Sequence, residues 1–175
     1  MVSQHNIKPE QVDKIVVFVG QNTQSMVCEP LELKQRPQVA VDAQFSLPYT
    51  IARAVVQRKV CLDDFTREAI SEEKVLQIAQ RVEPRVMPEL TLQQPMEPVI
   101  VQIETMDGKV YSKRVDFAKG NPKKPLTVDD LVEKFRDCAS YSAKSIPQES
   151  IERAIELILN LEKVEDVRQV IRLLS

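Results

Sequence analysis

The sequence of 175 residues predicts an α+β fold, a small mixed layer with an antiparallel hairpin packed on helices, followed by an all-helical C-terminal tail. Three observations carry this. Ile15-Val16-Val17-Phe18-Val19 is a β-branched and aromatic run closed by Gly20, the pattern of a buried strand. Two β-prone runs, 99–105 and 110–115, flank Met106-Asp107-Gly108-Lys109, and Asp-Gly between such runs signals a hairpin. From Thr127 onward, apolar residues recur at helical spacing. Strands and helices mixed first, then helices alone, is the order of an α+β layer with a helical appendage. The division expected is residues 1–120 and 121–175.

In chain order, Lys8-Pro9-Glu10-Gln11-Val12 reads as a turn that delivers the chain into the strand at 15–19. Between Gln21 and Arg36 the composition is mixed. Pro30 and Pro37 forbid a long helix there, and Val27-Cys28-Glu29-Pro30 suits an extended conformation. Ser71-Glu72-Glu73-Lys74 has the acidic first turn of a helix. The apolar set Val75, Ile78, Ala79 and Val82 continues that helix until Pro84. Four prolines at 84, 88, 95 and 98 make residues 84–98 an extended connection. The Asp107-Gly108 pair predicts a type I′ turn, with positive φ at both central residues. Ala118 to Pro125 combines two prolines, a glycine and three lysines, a basic loop.

Three helices follow. Thr127 caps the first, with Asp130 in its acidic first turn and Leu131, Val132, Phe135 and Cys138 on one side. Gln148 to Leu159 carries Ile151, Ala154, Ile155 and Ile158 as its apolar stripe. Val164 to Leu174 is predicted to bury Val167, Val170, Ile171 and Leu174.

The stretch Gln44-Phe45-Ser46-Leu47-Pro48-Tyr49-Thr50-Ile51-Ala52-Arg53-Ala54 brings apolar residues, a proline and a phenol together at the start of a helix from about 46 to 57. Ile51, Ala54 and Val55 mark its buried face. Ser46 is a candidate N-cap, and Pro48 fits the first turn, where a missing N–H costs nothing. Tyr49 then either faces a cleft or sits as a core-edge aromatic with its hydroxyl in water. Arg53 lies one turn on, roughly on the same face, and is either a cation beside that phenol or part of a solvated helix face.

Composition excludes several classes. A net charge of −2 gives no basic footprint for nucleic acid. No apolar run approaches the roughly 20 residues of a membrane helix, and no basic segment precedes an apolar run at the N-terminus, so the expectation is a cytoplasmic chain with no membrane contact. Cys28, Cys61 and Cys138 form no CxxC pair; they are expected as reduced, buried thiols. Gly20, Gly108 and Gly120 are too far apart to cradle a phosphate. His5, the one histidine, reads as solvated, which leaves the usual general base without a candidate. No metal and no cofactor is expected.

Taken in order, Gln44-Phe45-Ser46-Leu47-Pro48-Tyr49 opening a helix, the hairpin around Asp107-Gly108, and Gly120-Asn121-Pro122-Lys123-Lys124-Pro125-Leu126-Thr127 followed by Leu131-Val132-Glu133-Lys134-Phe135 and the closing helices resemble the C-terminal region of the MmgE/PrpD family. That family includes 2-methylcitrate dehydratase and cis-aconitate decarboxylase, and the resemblance runs from about residue 5 to 175. It implies a lid on a larger all-helical domain, with the last helices returning to that domain and the active site between the two. It implies Tyr49 as the lid residue facing substrate, lined by Gln44 and Ser46, with Arg53, Lys119, Lys123 and Lys124 as available cations.

The chemistry implied removes water or carbon dioxide from a tricarboxylic or related small organic acid, without metal or cofactor. Most catalytic acids and bases of the family lie in the helical domain, so the chain is read as a lid, either a fragment or a separately encoded half, that needs a helical domain in trans. Ile151, Ile155, Ile158 and the 167–174 stripe, partly exposed in the chain alone, predict a homo-oligomer or partner binding. The alternative is a non-catalytic binding or interaction module that kept the lid fold, or a small-acid isomerase or epimerase relative.

Overall fold

Strand β1, Val12–Val19, is the element on which the first half of the chain is assembled. Ile15, Val17 and Val19, at alternate positions, are fully buried, while Val16 and Phe18 on the opposite face are half-buried. The computed structural model describes residues 1–92 and 97–175. Around β1 the chain runs α1 (Val2–His5), α2 (Gln21–Thr23), α3 (Leu31–Gln35), α4 (Ala40–Gln44), α5 (Leu47–Gln57), α6 (Arg67–Ile70), α7 (Glu73–Ala79), β2 (Val82–Val86), β3 (Val99–Thr105) and β4 (Val110–Val115). It closes with α8 (Val128–Ser140), α9 (Gln148–Leu159) and α10 (Arg168–Leu173).

The sheet has the order β2-β1-β3-β4. β1 pairs parallel with β2, with Ile15 beside Val82, and antiparallel with β3, with Ile15 beside Ile103. β3 and β4 form the predicted hairpin, with Ile103 opposite Tyr111. Ala52, Val55, Val75, Ile78 and Ala79 of α5 and α7 join Ile15, Val17, Val19 and Ile103 in the core. The fold class is α+β, as the sequence predicts.

Two compact units are present, Met1–Lys124 and Pro125–Ser175. In the second, Thr127 caps α8 reciprocally with Asp130, and Arg136 holds Glu152 of α9 through two hydrogen bonds, at 2.8 and 2.6 Å. Ile151, Ala154 and Ile155 are buried, but Ile158 is exposed. The last helix begins at Arg168 rather than Val164 and buries Val170 alone of its stripe; Val167 and Ile171 are exposed.

Four sequence expectations are corrected. Residues 24–28 form a π-helical turn, so Val27-Cys28 is not extended. The helix begun at Glu73 stops at Ala79, and Val82–Val86, expected to continue it and then form a loop, is strand β2. Pro84 is tolerated because β2 is an edge strand. The Met87 N–H donates to Val19 O, so by two-residue alternation the Pro84 nitrogen faces the open edge. The hairpin turn has positive φ at Gly108 only, and Gly108 N–H donates to Thr105 O while Thr105 N–H donates to Lys109 O. That is the three-residue loop with a glycine bulge rather than type I′. Finally, only Cys28 is buried; Cys61 is half-buried and Cys138 exposed. Pro95, within the proline-rich connection, lies outside the described residues.

Candidate functional site

The turn before α5 is built by Ser46. Its Oγ accepts the Tyr49 N–H at 3.0 Å, the capping bond that leaves fewer orphan donors at the helix start, and its own proton goes to the Lys34 carbonyl. Lys34 Nζ in turn donates to Phe45 O at 2.6 Å. The sequence-predicted cap is therefore present, and the hydroxyl that forms it is fully committed.

Tyr49, in the first turn of α5, is 0% exposed, and its phenol donates to the main-chain carbonyl of Asp64 at 2.5 Å. Burial pushes the Tyr49 pKa up to about 12, with the Arg53 charge opposing that rise and Asp64 and Glu72 adding to it. Of the two sequence readings, the phenol neither lines an open cleft nor reaches water in this unit. It is part of the core.

One turn on, Arg53 is also buried, which overturns the solvated-face reading. Its Nε donates to Asp64 Oδ1 at 2.7 Å, and its terminal nitrogens meet Asp64 and Glu72. Burial alone works against the guanidinium charge, but the hydrogen bonds it donates to Asp64 and Glu72 outweigh it and the Arg53 pKa is raised. Asp64 Oδ2 accepts the Cys61 N–H at 2.7 Å. One guanidinium thus ties α5 to the Leu62–Phe65 turn and to the residue that opens α7.

The structure brings Ser46, Tyr49 and Arg53 into one chain of hydrogen bonds with Lys34, Asp64 and Glu72. It leaves Gln44 outside that chain: Gln44 ends α4, is exposed, and stands beside Phe45, which is 51% exposed. Asp64 and Glu72 were not singled out by sequence. Their carboxylates are 11 and 19 positions from Arg53, and no local pattern pairs them. Lys123 lies over the Phe117 ring at 4.9 Å, a cation held by an aromatic face in the basic loop. His5 is exposed and sits against Tyr111 with ring centroids 4.7 Å apart.

Among the described residues no group of three His, Cys, Asp or Glu could hold a metal ion. No helix among them is long and apolar enough to cross a membrane. The chemistry the site can do by itself is positioning: Tyr49 is a neutral donor with its proton engaged, and Arg53 is a cation already neutralised by carboxylates.

The family model described as the MmgE/PrpD C-terminal domain matches residues 1–163. The cis-aconitate decarboxylase of Homo sapiens is 25% identical over 166 residues, covering 95% of this chain and 33% of that protein. The cis-aconitate decarboxylase of Mus musculus is 25% identical over 134 residues, covering 77% of this chain and 27% of that protein. The chain spans about a third of the length of these curated relatives. With a family match along nearly its whole length, the chain belongs to the MmgE/PrpD family and carries its C-terminal domain.

Proposed function

We propose that this chain is the lid-type C-terminal domain of an MmgE/PrpD lyase that dehydrates or decarboxylates a tricarboxylic or related small organic acid. The observation that carries the reading is the family match over residues 1–163, supported by relatives named for a decarboxylase activity. Such a reaction needs cations to hold carboxylates and a base to take a proton. The one histidine of this chain stands on the surface against Tyr111. The base is therefore assigned to a helical domain, working in trans if it is separately encoded.

On this reading the Gln44-Phe45 turn is the face offered to substrate, because both residues are exposed at the end of α4. Ser46, Tyr49 and Arg53 are positioning residues that hold the turn at a fixed angle to α5. The buried phenol supports that role for Tyr49 in place of a direct contact with substrate.

The experiment is a pull-down from the native source with this chain as bait, followed by turnover assays with 2-methylcitrate and cis-aconitate. Recovery of a helical protein, and activity of the pair that neither part has alone, is the expected result. Turnover by the chain alone overturns the need for a partner. Recovery of the chain alone as an inert oligomer favours the second reading, a non-catalytic interaction module, for which the complete burial of Tyr49 speaks.

A further inference from the structure

With Arg53 neutralised inside the fold, the cations that meet a substrate carboxylate must be others. Among the described arginines of Met1–Lys124, the side chains of Arg36, Arg53, Arg58, Arg81, Arg85 and Arg114 each donate to an oxygen partner. Arg67 has none. Arg67 opens α6 and stands on the rim of a groove of about 480 Å³ together with Arg36, Gln38, Ser71 and Glu73. The floor is apolar: Pro37 is buried, and Ile70 and Leu76 are each 5% exposed.

The second arginine is only loosely held. Arg36 Nη2 reaches both Glu73 oxygens at 3.3 Å, long beside the roughly 2.7–2.9 Å of a charge-assisted hydrogen bond. An incoming carboxylate can compete for it. The rim carries two guanidinium charges against one carboxylate. Gln38 Nε2 donates to Arg36 O, which leaves its amide oxygen to accept from a hydroxyl. The groove opens toward the proposed substrate face without reaching it. A second concavity shares Gln38, Arg67 and Ile70 and extends to Ala40, and α4 covers only about 6 Å from there to Gln44.

We infer that the groove between Arg36 and Arg67 is a carboxylate-binding site for a di- or tricarboxylic acid. Two planar forks lining one groove suit a ligand with two carboxylates, each taken bidentately. The choice of acid class rests on the lyase reading above; the site rests on this chain's own residues.

The test is equilibrium binding of tricarballylate to the full chain alone, followed by amide chemical shifts and by calorimetry, with propionate and inorganic phosphate as comparison ligands. Saturable binding that shifts Gln38, Arg67 and Ile70, and that exceeds both comparison ligands, is expected. Arg67→Gln weakens it by about tenfold or more, the worth of one charge-assisted contact. Glu73→Gln, which removes the competing carboxylate, strengthens it, a change that a merely structural role for these residues would not produce. The inference is overturned by no saturable binding, by unchanged binding in Arg67→Gln, or by phosphate binding as well as tricarballylate. Binding without turnover in any reconstituted complex sinks the lyase reading and spares this site; turnover without binding here does the reverse.

Discussion

Arg53 and Asp64 meet with their side chains only 5% and 4% exposed, and the same aspartate accepts the Tyr49 phenol on its main-chain carbonyl. A buried ion pair of this kind is costly to break, because removing one partner strands the other charge away from water. Arg53→Met leaves Asp64 and Glu72 without their cation and is expected to destabilise the first unit by about 3–5 kcal/mol. Arg53→Lys does not rescue it, since one ammonium lacks the planar fork that serves two carboxylates at once. Thermal unfolding checks this; a melting temperature for Arg53→Met within roughly 2 °C of the parent would show the pair to be dispensable.

Tyr49 and Cys28 make the unit sensitive to alkali. Burial raises Tyr49 from 10.0 to about 12 and Cys28 from 9.0 to about 12. Both groups are neutral when protonated, so above their ordinary pKa values the unfolded chain releases protons that the folded chain retains. The unfolded state then binds fewer protons, and stability falls as pH rises. The loss begins near pH 9 for the thiol, near pH 10 for the phenol, and is complete near pH 12. For Tyr49 it amounts to roughly 2–3 kcal/mol. Denaturant midpoints taken from pH 8 to pH 12 should decline steeply, and less steeply in Tyr49→Phe and in Cys28→Ala. Parallel declines in all three proteins would mean that neither group drives the loss.

What the sequence makes legible follows the range of the interactions involved. The Ser46 cap and the helix 47–57 depend on neighbours within a turn, and both are readable. So are the helix 148–159 and the hairpin around Asp107-Gly108. Strand β2 is not, because Pro84 looks like a breaker until the strand is known to lie at the sheet edge. The exposure of Ile158, Val167 and Ile171 also escapes sequence, since periodicity marks an apolar face without saying what covers it. The same limit hides the site. Arg53 looks like a surface cation until Asp64 and Glu72 arrive from 11 and 19 residues away, and Arg67 carries no local mark at all.

Ser46 offers a test of how the turn before α5 is held. Its hydroxyl accepts the Tyr49 N–H and donates to the Lys34 carbonyl, so Ser46→Ala removes a cap and leaves a half-buried carbonyl short of a donor. The expected cost is about 1–2 kcal/mol. Ser46→Asp keeps the acceptor for Tyr49 but loses the donor and buries a charge, so it should fare no better than Ser46→Ala. Chemical denaturation ranks the variants, and an Asp variant as stable as the parent would show that the bond to Lys34 contributes nothing.

Gln44 and Tyr49 separate substrate contact from positioning. Gln44 is exposed, so Gln44→Ala should change stability by no more than about 0.5 kcal/mol, as surface substitutions usually do. If the Gln44-Phe45 turn faces substrate in the complex with a helical domain, the same change lowers kcat/KM by about tenfold, the worth of one lost hydrogen bond of roughly 1.4 kcal/mol. Tyr49→Phe should do the opposite. It removes a buried donor from the Asp64 carbonyl and lowers the melting temperature, while on the positioning reading activity per folded molecule stays within about twofold. Kinetics and thermal unfolding on the same reconstituted complex decide the matter. A large loss of kcat in Tyr49→Phe with its stability intact would return the phenol to the reacting centre, and would require the turn to open when the helical domain docks.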